Sequence, residues 1–237
     1  MQLNSTQQEA VRHTDGPILI LAGAGSGKTR VLTHKAVYLI KEKGVDPNHI
    51  LMVTFTNKAA NEMKERIRQL LTIHTSTPSI SLRTSNLPYA GTFHSLSAKI
   101  LRRDGHHIGI APHFVIYDEL DQKEAIRDIM TKLDISAKRV SPVSMRSMIS
   151  QAKNELLNAH QYLSLARGFY QEMAAKIYLE YERLLNENSA LDFDDLLLKC
   201  VQLLLDNKEV RNHYQEQFRY VLVDEYQDTN HAQYKLS

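Results

Sequence analysis

The sequence has a single cysteine, Cys200, so no disulfide can close within the chain, and the composition suits a reducing cytoplasm. It has no run of about eighteen or more apolar residues, which excludes a membrane-spanning helix. Its first residues, Met1 to Thr6, are polar and lack the basic-then-apolar layout of a secretory signal. None of its eleven histidines stands with cysteine or histidine at zinc-finger spacing, so no structural metal site is read. Excess charge of one sign is also scarce. A formal net charge of +2 gives no global basic field, so any hold on a polyanion must come from a local groove. Basic residues cluster from Lys58 to Arg68, at Arg102-Arg103 and at Lys138-Arg139, and read first as solvated helix faces.

What the sequence does have is 43% hydrophobic residues over 237 positions, enough core for one large domain or two small ones. Pro17 to Leu21, Ile50 to Phe55 and Tyr220 to Val223 are short apolar runs bounded by turn signals. They predict buried parallel strands. Tyr89 to Phe93 and Phe114 to Tyr117 are weaker strand candidates. Ala59, Ala60, Met63, Ile67, Leu70 and Leu71 fall on one helical face. Strand and helix alternation predicts a doubly wound α/β sheet. From about residue 118 to 187 the pattern is helical throughout, with Ile126, Ile129, Met130 and Leu133 on one helix and Tyr170 to Leu185 on a longer one. This predicts a helical insertion. Leu196 to Leu205 is apolar nearly all round and predicts a helix packed on the sheet. Thr72 to Pro88, rich in Ser, Thr and Pro, predicts a surface loop.

The strongest chemical signal is Ala22-Gly23-Ala24-Gly25-Ser26-Gly27-Lys28-Thr29, placed after a predicted strand and at the start of a predicted helix. That is the context a P-loop requires. Glycines let successive backbone N–H groups curl around phosphate oxygens, and the helix N-terminus adds a positive end. Lys28 is expected to reach the β- and γ-phosphates of ATP, and Thr29 to ligate magnesium. Ala22 stands where the usual pattern has glycine; the position needs smallness more than a special dihedral.

A second signal completes the first. Tyr220 to Val223 delivers Asp224 and Glu225 at the C-terminal end of a strand, where ligands bind in such sheets. Asp224 is expected to hold the magnesium shell and Glu225 to polarise an attacking water. A strand that merely ends in acidic residues is the plainer reading, and the upstream P-loop makes it improbable.

With these motifs in place, the chain resembles the superfamily 1 DNA helicases of the UvrD, Rep and PcrA group over essentially its whole length. Leu3-Asn4-Ser5-Thr6-Gln7 is similar to the adenine-reading motif, with Gln7 on the base, and Arg30 matches a residue near the adenine. Val53 to Ala60 is similar to the first single-stranded DNA motif, and Gly91-Thr92-Phe93-His94-Ser95 to the second. Asp224 to Asn230 matches the second ATPase motif, in which the resemblance gives Gln227 the role of sensing nucleotide state. The resemblance implies an α/β fold: a RecA-like P-loop NTPase domain with a parallel sheet (1–106 and 188–237) and an inserted all-helical subdomain (107–187). It implies ATP and magnesium as cofactors and single-stranded DNA as partner, with 3′-to-5′ polarity and with repair or replication proteins around it.

The DNA assignment has a physical basis. Thr54, Thr56, Asn57 and Lys58 lie at the end of a strand and the start of a helix, where hydroxyls, an amide and N–H groups hold a phosphate backbone without reading bases. For Thr92 the resemblance to the second motif implies a DNA contact. Phe55 and Phe93 offer ring faces for sequence-tolerant stacking, or are core residues. His94 is a DNA contact or a hydrogen-bonded core histidine. Leu191 to Leu196 also matches a family motif, but Asp192 suits an N-cap and Asp194 and Asp195 a helix start, so no catalysis is assigned there.

The family's pattern continues into a second RecA-like domain that carries arginines for the ATP site, and the sequence stops at Ser237. An arginine finger is worth about 10³ to 10⁵ in turnover. The expectation is therefore an N-terminal fragment that binds nucleotide and hydrolyses it slowly, its missing partner being that second domain. The alternatives are a non-catalytic nucleotide-binding module and a small-molecule kinase, the latter disfavoured by Gln227 and the two DNA-type motifs.

Overall fold

The protein is described by a computed structural model, covering residues 3–23, 25–73 and 87–237. Its first elements are α1 (Ser5–Arg12), α2 (Lys28–Lys41), β1 (Ile50–Thr54), α3 (Asn57–Ile73) and β2 (Tyr89–Thr92). Then come α4 (Phe93–Asp104), β3 (Val115–Tyr117), α5 (Glu119–Lys132), α6 (Pro142–Asn154), α7 (Ala159–Leu165) and α8 (Phe169–Glu187). The chain continues with β4 (Ala190–Asp192), α9 (Phe193–Asp206), α10 (Lys208–Gln217), β5 (Tyr220–Val223) and α11 (His231–Leu236). Two compact units result: residues 1–93 with 212–228, and residues 94–211 with 229–237.

In the first unit β1 is central in a three-stranded sheet of order β2-β1-β5, and both pairings are parallel. Every β1 residue is buried, which a strand flanked on both edges and both faces requires. Ile50 and Met52 on β1 pack with Ala36 and Leu39 of α2, Met63, Ile67 and Leu71 of α3, Ala90 of β2 and Leu222 of β5. The α3 stripe is thus the face its periodicity predicts. Burying each large aliphatic side chain stabilises the unit by about 1.5–3 kcal/mol. The register sets Thr54 beside Thr92 and Val53 beside Val223, so β1, β2 and β5 end together.

Pro17 to Leu21 does not form the expected strand. Ile18, Leu19 and Leu21 are 41%, 66% and 88% exposed. A strand is held by a ladder and by covered faces, and this run has neither. The Thr72 to Pro88 loop falls largely at 74–86, outside the described residues.

The second unit is mostly helical. Its core joins Ile126, Ile129 and Met130 of α5, Met145 and Ile149 of α6, and Ala174, Ile177, Tyr178, Tyr181 and Leu185 of α8. A two-stranded parallel sheet, β3 with β4, closes one part of it. The units divide at other residues than 107 and 187. β3–β4 pairing and the packing of α9 on α6, on β4 and on the 3-10 turn Gly105–Ile108 draw 94–106 and 188–211 into the helical unit. Within this unit the apolar helix α9 packs chiefly on α6 and α11.

Candidate functional site

The loop before α2 turns tightly. Ser26 donates to the Gly23 carbonyl from its amide at 3.3 Å and from its hydroxyl at 2.7 Å. Gly25 and Gly27 hold φ of 72° and 89°, a left-handed backbone open to glycine at little cost. Gly27 is the N-cap of α2 and brings no side-chain acceptor, so the first-turn N–H groups of the helix lack a capping side chain. Such an end attracts anions. Ala24 lies outside the described residues.

Lys28 and Thr29 leave this turn toward the carboxylates after β5. Lys28 Nζ donates to the Ala22 carbonyl at 3.4 Å and stands 3.5 Å from Glu225 Oε2. Thr29 Oγ1 donates to Asp224 Oδ2 at 3.0 Å. The Asp224 amide donates to the Val53 carbonyl at 2.9 Å, extending the β1–β5 ladder and fixing where its carboxylate starts.

Asp224 is 4% exposed, and among the described residues its Oδ1 is buried without a hydrogen-bond partner. An orphan carboxylate oxygen beside a hydroxyl is a hard oxygen donor set, which fits magnesium held by few protein ligands plus phosphate and water. Burial pushes the Asp224 carboxyl up, the Thr29 hydrogen bond opposes that, and the Glu225 charge adds to it. Glu225 moves the other way, lowered by a hydrogen bond from Gln227 Nε2 and then by Lys28. Its φ of 50° is strained for a residue with a side chain. An ionised, solvent-reaching Glu225 is thus set beside a buried Asp224.

Gln7 belongs to the same unit. Asn4 caps α1 in a reciprocal capping box with Gln7. Gln7 Nε2 donates to the Ser26 carbonyl at 2.9 Å, and Gln7 Oε1 accepts from Arg30 Nη2 at 2.9 Å. The two residues expected near an adenine thereby lock onto the phosphate turn.

The expected DNA residues divide by exposure. Thr56 caps α3, accepting from the Ala59 amide at 3.1 Å, and Thr56, Asn57 and Lys58 are exposed. Phe55 is half-buried, its ring 6.0 Å from that of Phe93 in an edge-on pair. Thr54, Thr92 and Phe93 are 3%, 8% and 2% exposed. At this exposure Phe93 presents no open ring face in this structure. His94, in the second unit, sets its ring 5.9 Å from Phe193, edge-on. Burial lowers its pKa against the opposing charge of Asp194.

Sequence reasoning passed over Lys153 and Asn154 at the end of α6. Lys153 is fully buried, 2.8 Å from Asp192 and 2.8 Å from Asp195. Burial would lower its pKa, but the two carboxylates raise it. A signal existed: Met145, Ile149 and Lys153 recur every four residues, so the lysine falls on the buried stripe. Asp192 caps α9 as expected.

With this geometry described, comparison with known proteins gives the family. A family model described as the UvrD/REP helicase N-terminal domain matches residues 3–237. Over 234 residues, 99% of the chain, the sequence is 47% identical to a protein of Staphylococcus epidermidis named ATP-dependent DNA helicase PcrA. It is 45% identical over the same length to the protein of that name from Staphylococcus aureus. The chain spans 31% of the length of each of these relatives. On its motifs, their arrangement in the fold and a match running from Leu3 to Ser237, the chain belongs to the UvrD/REP helicase N-terminal domain family.

Proposed function

We propose that this chain is the nucleotide-binding motor half of an ATP-driven DNA helicase that moves 3′ to 5′ on single-stranded DNA. The observation that carries the reading is the meeting of Thr29, at the start of α2, with a buried Asp224 whose second oxygen has no partner among the described residues. The unit of residues 1–93 and 212–228 is read as RecA-like, and the helical unit as its inserted subdomain.

In this reading the amides of Gly23 to Lys28 and the Lys28 ammonium hold the β- and γ-phosphates. Thr29 and Asp224 hold magnesium, which neutralises phosphate charge when bound. Glu225 orients and polarises the attacking water, since its carboxylate stays ionised and reaches solvent. Gln227, already donating to Glu225, feels whether a γ-phosphate is present. Gln7 and Arg30 receive the adenine. Thr56, Asn57 and Lys58 bind the DNA backbone, and the half-buried Phe55 stacks on a base. A second RecA-like domain supplies the arginines that full turnover needs.

The test is a melting scan with and without magnesium and ADP. Ligand at about a hundred times its Kd adds roughly 2.7 kcal/mol of stability. Lys28→Ala is expected to shrink that shift. An equal shift in the variant refutes the assigned phosphate site.

A further inference from the structure

Asn230 follows the ATPase carboxylates closely: Gln227 stands three residues before it, a tether of at most about 10 Å. Asn230 caps α11. Its Oδ1 accepts from the Gln233 amide at 2.8 Å, and Gln233 Oε1 accepts from the Asn230 amide at 3.1 Å. The cap is complete with those two bonds. Yet Asn230 Nδ2 makes a further bond, donating to Asn154 Oδ1 at the end of α6. That bond adds nothing to the cap; it links one segment to another.

Asn154 passes the link on. Its Nδ2 donates to Asp194 Oδ1 at 3.1 Å and to the Ser150 carbonyl at 2.9 Å. Asp194 opens α9 beside Phe193, whose ring meets His94 edge-on at 5.9 Å. His94 lies in the second DNA-type motif. The hub is rigid, because the neighbouring Lys153 is locked between Asp192 and Asp195 with no exposure. A fully buried ion pair of this kind fixes α6 against the start of α9 and lets small displacements be transmitted instead of absorbed.

We infer that Asn154 is a positioning residue that couples nucleotide state to DNA affinity, through Asn230 on one side and through Asp194 and His94 on the other. This rests on the motor reading above. Asn154 touches neither ligand in that reading, and its side chain is only half-buried, so its loss removes bonds without opening a core cavity.

The experiment measures the Kd of the chain for a dT oligonucleotide, with and without a slowly hydrolysed ATP analogue and magnesium. Coupling between two sites typically changes affinity about 5- to 150-fold. The wild-type chain is expected to fall in that range. Asn154→Ala is expected to bring the change below about twofold, while each ligand alone binds within about twofold of wild type. Asn154→Asp, which removes the donor and sets two carboxylates against each other, is expected to uncouple likewise, and combining it with Asp194→Asn, which exchanges donor and acceptor, to restore coupling. Should Asn154→Ala fail to fold, the exchange pair decides. A folded Asn154→Ala that couples as wild type does, or a folded exchange pair that stays uncoupled, overturns the inference. So does a wild-type chain that binds both ligands without coupling, though that leaves the motor reading standing. A wild-type chain that binds no nucleotide removes both.

Discussion

Thr29 and Asp224, 195 positions apart in sequence, meet through a hydroxyl donating to a carboxylate at 3.0 Å. The bond satisfies Oδ2 and, among the described residues, leaves Oδ1 buried without a partner. Its pKa is raised, chiefly by burial. A raised folded value means that the group's contribution falls as pH rises above the ordinary carboxylate range. Asp224→Asn is therefore expected to leave the ligand-free chain as stable at neutral pH or more stable, by on the order of 1 kcal/mol. The same change should weaken magnesium–ADP binding at least tenfold, about 1.4 kcal/mol. Urea unfolding and calorimetric titration read the two effects; a clear loss of ligand-free stability would contradict the strain.

Two glycines of the phosphate turn are expected to respond in opposite senses. Gly27 has φ of 89°, and Gly27→Ala should destabilise by roughly 1–2 kcal/mol, the cost of a left-handed L-residue. Gly23 has no positive φ, and an added Cβ would meet nothing within 4 Å. Gly23→Ala should be neutral or stabilise by about 0.4–1 kcal/mol, through the unfolded chain. Equal losses in the two variants would show that space, not backbone conformation, limits the turn.

Lys153 is expected to be indispensable to its unit. Lys153→Met removes the ion-pair partner of the buried Asp192 and Asp195, and breaking such a pair costs about 3–5 kcal/mol. Thermal melting tests this, and a variant within about 1 kcal/mol of wild type would mean the carboxylates find other partners.

The same cluster sets a pH dependence. Burial and the charge of Asp192 push Asp195 up to about 6, from an ordinary 3.8. Between those values the folded chain holds a proton that the unfolded chain has lost. The stability this group contributes is full below 3.8 and is lost as pH rises toward 6. Asp192 is lowered, burial being outweighed by Lys153, so its own contribution grows as pH rises through the carboxylate range. Asp195→Asn removes only the falling part. The wild-type advantage over that variant should shrink from about pH 4 to about pH 6 and then level off, as read from urea midpoints. An advantage that grows over this window would reverse the assignment of the two carboxylates.

Lys58 offers the simplest test of the DNA face. It is exposed at the start of α3, beside the exposed Thr56 and Asn57. If Lys58 neutralises one phosphate of single-stranded DNA, Lys58→Ala should flatten the slope of log Kd against log salt by about 0.7. An unchanged slope would place the backbone elsewhere.

The legible parts of this molecule were those where a short apolar run ends in chemistry. Ile50 to Thr54 and Tyr220 to Val223 announce strands by composition, and Lys28, Thr29, Asp224 and Glu225 follow them directly; the fold brings those four together. Pro17 to Leu21 has the same composition and misleads, because no run of residues states whether a ladder neighbour exists. The β3–β4 pair was half seen. Phe114 to Tyr117 has β-branched residues, but Ala190 to Asp192 is short and merges with the start of α9. Lys153 and Asn154 were missed because a charged or amide residue in a helix normally faces water. Only the partners, 39 and 40 positions on, reveal otherwise.

Among the described residues the sheet order β2-β1-β5 leaves one side of β5 without a strand neighbour, and Tyr220 to Val223 carries no charged side chain. Val221 is 38% exposed, and the same unit presents Ile18, Leu19 and Leu21 to solvent. An uncharged open edge and a greasy strip are templates for strand addition between molecules. Refolding yield should therefore fall as protein concentration rises, with light scattering growing in step, and a lysine at position 221 should suppress the self-association.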